Sequence, residues 1–342
     1  MSPAPAVAPK PLAAVVSPVA SAGIEVSVCI VNWNCRGLLR NLLRSLFENP
    51  QGVSFEVVVV DNGSTDGAAE MVAAEFPQVV LVRNRDNRGY AVACNQAAAR
   101  SHGRFLFFLN NDTEVPAGTL RRLVAHAEDD PSAGMFGPRL REPDGRLQIS
   151  YRRRPTIPAL LHKLSILRWT GLFRRAYCDY RRGSFDAYAD GLRAVEILMG
   201  PAVFLSREVF DEVGRWDERY RFGVEDIDLS TRVGQNRRVV YVSDVEVTHH
   251  GRASSRVNVG YVTPSVMTGY VQYFRKCGAG RGTLFWYKLA VTLDAPVQLL
   301  TKAVEAAARR VAGQRADAAR SWAAARGVWA FLCRELLRFW RA

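Results

Sequence analysis

The chain has 342 residues, 48% of them hydrophobic and 10% aromatic, which makes it globular, with enough apolar material for one large core or two smaller ones. Its six cysteines (Cys29, Cys35, Cys94, Cys178, Cys277 and Cys333) form no CxxC pair, so neither a zinc cluster nor a disulfide framework is suggested, and a reducing compartment fits. The net charge of +13 is uneven: residues 139–182 and 275–342 each carry +9 and the remainder −5, which points to an anionic surface or substrate held at one side.

Residues 1–23, rich in Ala, Pro, Val and Ser, read as a disordered tail rather than a secretory signal, because Pro11 and Pro18 interrupt the short apolar stretch. No run of 18 apolar residues follows, so no segment reads as a membrane span. Val26 to Asn32 is a β-branched run, and Gly37 to Phe47 repeats leucines at helical spacing. Phe55 to Val60 is apolar throughout apart from Glu56, as expected of a parallel strand covered on both faces. A helix from about Ala68, a strand over 79–82, a helix over 90–100 and a strand over 104–109 complete a βαβαβαβ alternation. That order predicts an α/β fold with a parallel sheet and right-handed crossovers.

In open α/β sheets ligands sit outside the carboxyl ends of the strands. Three such ends here are polar: Asn32-Trp33-Asn34, Asp61-Asn62-Gly63-Ser64 and Asn110-Asn111-Asp112. One such cluster is ordinary turn chemistry; three in succession point to a site. No GxGxxG follows the first strand and no GxxxxGK[ST] occurs, so the usual phosphate cradles are missing. Asp112 offers another counter-charge, since Mg²⁺ or Mn²⁺ held by one or two protein oxygens can bridge a diphosphate.

The stretches "VSVCIVNWN", "VVVVDNGSTDG", "NRDNRGYAVACNQAA", "FLFFLNNDTEVP", "MGPAVFLSREVFDEVGRWDERY", "GVEDIDLSTRV" and "VTHHGRASS" resemble, in order, the family 2 glycosyltransferases of the GT-A fold, especially the rhamnosyltransferase-like branch. The resemblance implies a Rossmann-like, mostly parallel sheet flanked by helices over residues 24–260, with a helical extension over 261–342. It implies that Asp61 contacts the nucleotide base, with Asn32 and Asn34 lining the same pocket and Asn62 and Ser64 beside it. Asn87, Gly89 and Asn95 match the stretch that closes over the nucleotide. Asn110-Asn111-Asp112 stands at the DxD position with only the last acid present, leaving the metal fewer charged ligands. His249, in the pattern HxxxxS with Ser254, matches a metal-holding histidine, with His250 beside it. Asp226 matches the base that takes the acceptor proton, and Glu225 is the second choice. Gly200, Trp216 and Asp217 match positions that shape the acceptor side, although an aromatic at the spacing of Trp216 is also a core residue. Asp228 and Arg232, at i and i+4, read as a structural pair.

Residues 146–194 match the family less closely and read as a basic, aromatic-rich insertion on the acceptor side. Beyond Gly282, helices over 284–293 and 297–311 are expected to be parted by Pro296. A last helix over 316–341 sets Trp322, Trp329, Leu332, Leu336 and Phe339/Trp340 near one stripe among arginines, which suits an anionic membrane surface, docking on its own domain or a second subunit of a homo-oligomer. The expected activity is an inverting, metal-dependent transfer of a sugar, rhamnose or similar, from a dTDP- or UDP-sugar to a lipid-linked or cell-envelope glycan. That places the protein at the cytoplasmic face of the inner membrane. A sugar nucleotidyltransferase would want a Gly-rich basic loop after the first strand; a non-catalytic scaffold would have no need of Asp112, Glu225, Asp226 and His249 together. The interleaved Arg and aromatic residues leave nucleic-acid binding as a weaker rival, and no nucleic acid is expected as a partner.

Overall fold

The computed structural model describes residues 23–185, 191–251 and 259–342. The N-terminal half alternates as expected: β1 (Val26–Asn32), α1 (Arg36–Glu48), β2 (Phe55–Asn62), α2 (Ala68–Glu75), β3 (Val80–Asn84), α3 (Tyr90–Ala99) and β4 (Phe105–Asn110). There follow β5 (Thr113–Glu114), α4 (Thr119–Asp129), β6 (Ala133–Arg141), β7 (Tyr151–Arg152), α5 (Ile157–Leu161), α6 (Ser165–Thr170) and α7 (Arg174–Phe185). Then come β8 (Leu192–Val195), β9 (Ile197–Leu198), β10 (Ala202–Ser206), α8 (Arg207–Glu212), α9 (Glu225–Val233) and β11 (Arg238–His249). The C-terminal region is helical: α10 (Val259–Lys276), α11 (Arg281–Val311), α12 (Arg315–Ala330), a π-helical turn over Phe331–Glu335, and α13 (Leu336–Arg341).

The main sheet runs β3-β2-β1-β4-β10-β6-β11-β5, with β8 also on β11. Its strands β3, β2, β1 and β4 are parallel, as the alternation predicts. In the second half β10 runs antiparallel to both β4 and β6, and β5 and β8 run antiparallel to β11. The sheet is therefore mixed but mostly parallel.

Burial on both faces explains the unbroken apolar runs. Val28, Ile30, Val57, Val59, Phe107 and Leu109 face one core with Leu39, Leu42, Leu43 and Leu46 of α1. The alternate residues Cys29, Val31, Val58, Val60, Leu106 and Phe108 face a second core with Ala91, Ala93, Cys94 and Ala97 of α3. Each fully buried Val or Leu contributes about 1.5–3 kcal/mol, and a one-residue register slip would exchange the two faces. The strand order reverses at β1, which lies between β2 and β4, so the crevice of an open sheet opens over Asn32 and Asn110.

Two helical expectations change. Pro296 lies inside α11 and does not end it. The local cost of about 3 kcal/mol is outweighed because Leu284, Tyr287, Val291 and Ala295 form one continuous stripe in a third core. The supposed interfacial stripe of the last helix is half internal: Phe331 and Phe339 are fully buried and Leu332, Leu336 and Trp340 pack against the same core, whereas Trp322 and Trp329 remain exposed. Among the described residues, no helix is long and apolar enough to cross a membrane. Residues 1–22 and Ser254 lie outside the described residues.

Candidate active site

The three polar strand ends form one buried network. The Asn32 side-chain amide donates to Asp61 Oδ1 at 3.0 Å and to Ser64 Oγ at 3.1 Å, while Asn111 donates to Asn32 Oδ1 at 2.8 Å. Ser64 N–H in turn donates to Asp61 Oδ2 at 3.1 Å. Asn32, Asp61 and Asn111 are buried, and buried polar groups persist only when they are bonded in this way. Asn34, at φ 52°, receives Thr65 N–H on Oδ1 at 2.8 Å and so clamps the β1–α1 turn to the loop after β2.

A second network holds the neighbouring loop. Asn62 donates to Asn87 Oδ1 at 3.0 Å and accepts from Asn84 at 3.0 Å and from Arg88 N–H at 3.1 Å. Gly63 and Gly89 have φ of 78° and 96°, the region glycine tolerates without cost. A Cβ on Gly63 would lie 2.8 Å from the backbone of Asp86.

The next element of the site joins β4 to β11. Asp112 and His249 are both buried, and His249 Nε2 lies 3.3 Å from Asp112 Oδ1. Gln148 fixes the ring: its amide N–H donates to the His249 carbonyl at 2.7 Å, which turns Oε1 toward His249 Nδ1 at 2.8 Å. Gln148 Oε1 and Asp112 Oδ1 thus face the two ring nitrogens of His249, one each. The Asp112 and His249 side chains are of kinds that can ligate Mg²⁺ or Mn²⁺, although among the described residues no group of three or more His, Cys, Asp or Glu side chains converges as a metal site. The neighbouring His250 points elsewhere and meets Glu114 Oε1 at 2.7 Å.

The third element is the N-terminus of α9, where Glu225 and Asp226 are both buried. Asp226 Oδ2 receives the Gly200 N–H at 3.2 Å and faces the Arg152 guanidinium at 3.4 Å. A Cβ at Gly200 would stand 3.4 Å from that of Asp226. Burial, and then the charge of Asp226 beside it, push the Glu225 carboxyl up to about 7. Arg152 also donates to Tyr180 at 3.3 Å, so the basic 146–194 segment reaches the acid pair directly. Arg152 and Gln148 are the site residues that sequence motifs do not show. The α10 helix adds another wall: Tyr261 meets the Trp33 ring edge-on at 5.7 Å and donates to the Arg221 carbonyl at 3.4 Å.

Other expected residues stand apart. Asn95 exchanges two hydrogen bonds with the Trp216 backbone, at 2.9 and 3.1 Å, and lines the cavity beside it. The Trp216 ring is 2% exposed and packs edge-on against Phe108 and Tyr90, which makes it core and leaves no face open to a sugar. Asp217 pairs with Arg219 and with Lys276, the latter at 2.8 Å. These residues line a polar cavity of about 500 Å³ that also takes in Arg232. It lies on another face of α9 than Asp226, because position 232 is roughly 120° around the helix from 226. Asp228 and Arg232 form the expected i,i+4 ion pair at 2.8 Å.

With this geometry in place, the likenesses to known proteins are specific. Residues 27–213 match the model of "Glycosyl transferase family 2". An N-acetylglucosaminyl-diphospho-decaprenol L-rhamnosyltransferase of Mycobacterium tuberculosis is 32% identical over 57% of the chain. The chain spans 66% of that relative's length, just under two thirds. The O-antigen biosynthesis protein RfbC of Myxococcus xanthus is 28% identical over 68% of the chain but only 18% of its own length. Among solved structures, a mannosyltransferase of Pyrobaculum calidifontis in complex with GDP-Man and Mn²⁺ superimposes with a TM-score of 0.51 at 21% identity, covering 95% of this chain and 90% of that one. GalNAc-T7 with UDP, GalNAc and Mn²⁺ gives 0.51 at 20% identity over 66% of this chain and 43% of that one. These two share the fold, a GT-A-type mixed sheet with flanking helices. The family model covers more than half of the chain, and the protein belongs to glycosyl transferase family 2.

Proposed function

We propose that the chain is an inverting, divalent-metal-dependent transferase that moves L-rhamnose or a similar sugar from a dTDP- or UDP-linked donor to a lipid-linked or cell-envelope glycan. It would work as a peripheral protein at the cytoplasmic face of the inner membrane, with residues 24–260 as the catalytic unit, 146–194 as its acceptor side and 261–342 as a helical extension. The observation that carries this reading is the convergence of Asp112 and His249 beside the Asn32–Asp61–Ser64 network. The rhamnosyltransferase relative favours the sugar and the lipid-linked acceptor, and the Mn²⁺ in both solved neighbours favours the metal.

In this reading Asp61, Asn32, Asn34 and Ser64 hold the nucleoside, and Asn62 with Asn87 and Gly89 shapes the loop beside it. Asn110 and Asn111 line the floor between nucleoside and diphosphate. Asp112 and His249 Nε2 would hold the Mg²⁺ or Mn²⁺, with Gln148 fixing the ring. The metal supplies positive charge to the departing diphosphate. Asp226 accepts the proton of the acceptor hydroxyl as it attacks the anomeric carbon. Arg152 and the Gly200 N–H hold that carboxylate in place, and Glu225, raised to about 7 by burial and by the charge of Asp226, lies beside it.

The test is thermal stabilisation of the purified protein by dTDP-, UDP- and GDP-sugars, each with and without Mn²⁺, because a specific ligand raises Tm by mass action. Metal-dependent stabilisation by dTDP or UDP compounds supports the reading. Stabilisation by none of them favours a scaffold that keeps only the fold.

A further inference from the structure

Residues 146–178 contain no Asp or Glu. Within them, α6 and the turn after it expose Ile166, Trp169, Leu172 and Phe173, with Trp169 89% exposed. Between these apolar residues stand Arg168, Arg174 and Arg175, all exposed. An exposed tryptophan interleaved with arginines is costly in water and well placed at a lipid headgroup layer, where the ring and the cation each find a partner.

The α11 helix carries a matching stripe. Trp286, Leu293, Leu300 and Val304 are exposed, at 67%, 65%, 65% and 58%. At 100° per residue they fall within about 40° of one another around the helix. They therefore form a straight apolar line on the side away from the third core. The acids of α11 are withdrawn from it: Asp294 is buried, and Glu305 pairs with Lys302 at 2.8 Å. The two surfaces are joined at Asp294, whose Oδ1 accepts the N–H of Ser165 at 2.8 Å and of Ile166 at 3.4 Å. That bond caps α6 and holds it beside Leu293.

We propose that the α6 turn and the outer stripe of α11 form one face that lies in an anionic lipid surface. Charge decides the occupant. A two-fold contact between copies would set the same arginines opposite one another, whereas anionic headgroups neutralise them. The inference rests on the lipid-linked acceptor of the proposed function, because the segment that carries Trp169 also carries Arg152 to Asp226.

The experiment is co-sedimentation of the full chain with vesicles of phosphatidylcholine, with and without phosphatidylglycerol, in the absence of donor and acceptor. The expected result is binding that requires phosphatidylglycerol, weakens as salt is raised, and drops about tenfold or more in Trp169→Glu and in Leu293→Glu. Both side chains are exposed, so Tm of the variants should match the wild type. Wild-type binding that ignores lipid charge, or variants that bind as well as wild type, would overturn the proposal. So would a dimer in light scattering that both variants dissociate without any vesicle binding. Failure of the sugar-nucleotide reading would show separately, as absent nucleotide stabilisation with vesicle binding intact.

Discussion

His249 Nε2 and Asp112 Oδ1 stand 3.3 Å apart, and Gln148 holds the other ring nitrogen at 2.8 Å. Asp112→Asn and His249→Ala should each abolish Mn²⁺-dependent stabilisation by a nucleoside diphosphate and lower turnover about a hundredfold or more. Gln148→Leu keeps both ligands and frees the ring. It should weaken Mn²⁺ about 10- to 100-fold, read as a higher half-saturating Mn²⁺ concentration with kcat restored at excess metal.

Asp226→Asn preserves shape and removes the proton acceptor. Turnover should fall about 10²- to 10⁴-fold, with stabilisation by the donor unchanged. Wild-type kcat in that variant would assign the proton to another group.

The Arg152 guanidinium stands 3.4 Å from Asp226 Oδ2, and both side chains are largely buried. Arg152→Gln leaves that carboxylate without its charge partner and should lower stability by about 3 kcal/mol, whereas Arg152→Lys should lower it less. Denaturant unfolding reads the difference, and equal stability for all three proteins would show that the pair contributes nothing to the fold.

Glu225 is raised to about 7 by burial and by Asp226, so the folded state binds a proton that an exposed glutamate would have lost. Stability from this group is present at low pH and is lost as pH rises toward 7. Glu225→Gln, which can still accept the Val224 N–H seen at 2.8 Å, should therefore raise Tm at pH 8 and leave it nearly unchanged at pH 5. Parallel Tm curves for variant and wild type would show that Glu225 titrates normally.

Gly63 has φ 78° and no room for a Cβ against the backbone of Asp86. Gly63→Ala should cost about 2 kcal/mol or more, from left-handed strain plus a displaced loop. Denaturant unfolding reads the loss, and donor binding should weaken with it because Asn62 anchors the same loop.

The parallel half of the sheet was legible because its strands are buried on both faces, which leaves unbroken β-branched runs that end in Asn and Asp. The direction of β10 was not, since the four apolar residues Ala202 to Leu205 look alike either way round. Asn95 and Trp216 share motifs with site residues, but neighbourhood in sequence does not show that these two, 121 residues apart, bond to each other. Gln148 and Arg152 lie in a segment without a recognised pattern, and their partners are 101 and 74 residues away; only tertiary packing brings them in. Pro296 misled because a local cost was weighed without the continuous buried stripe that outweighs it.

The strand order also sets a timetable. Among the described residues, β5, which directly follows Asp112, pairs only with β11, and β11 is the last strand of the sheet to leave the ribosome. A nascent chain that has emerged as far as β6 can build the Asn32–Asp61 network but has no His249 to set against Asp112. In the proposed reading the metal pair is complete only once β11 has formed, and a chain cut before β11 should bind Mn²⁺ no better than an isolated carboxylate.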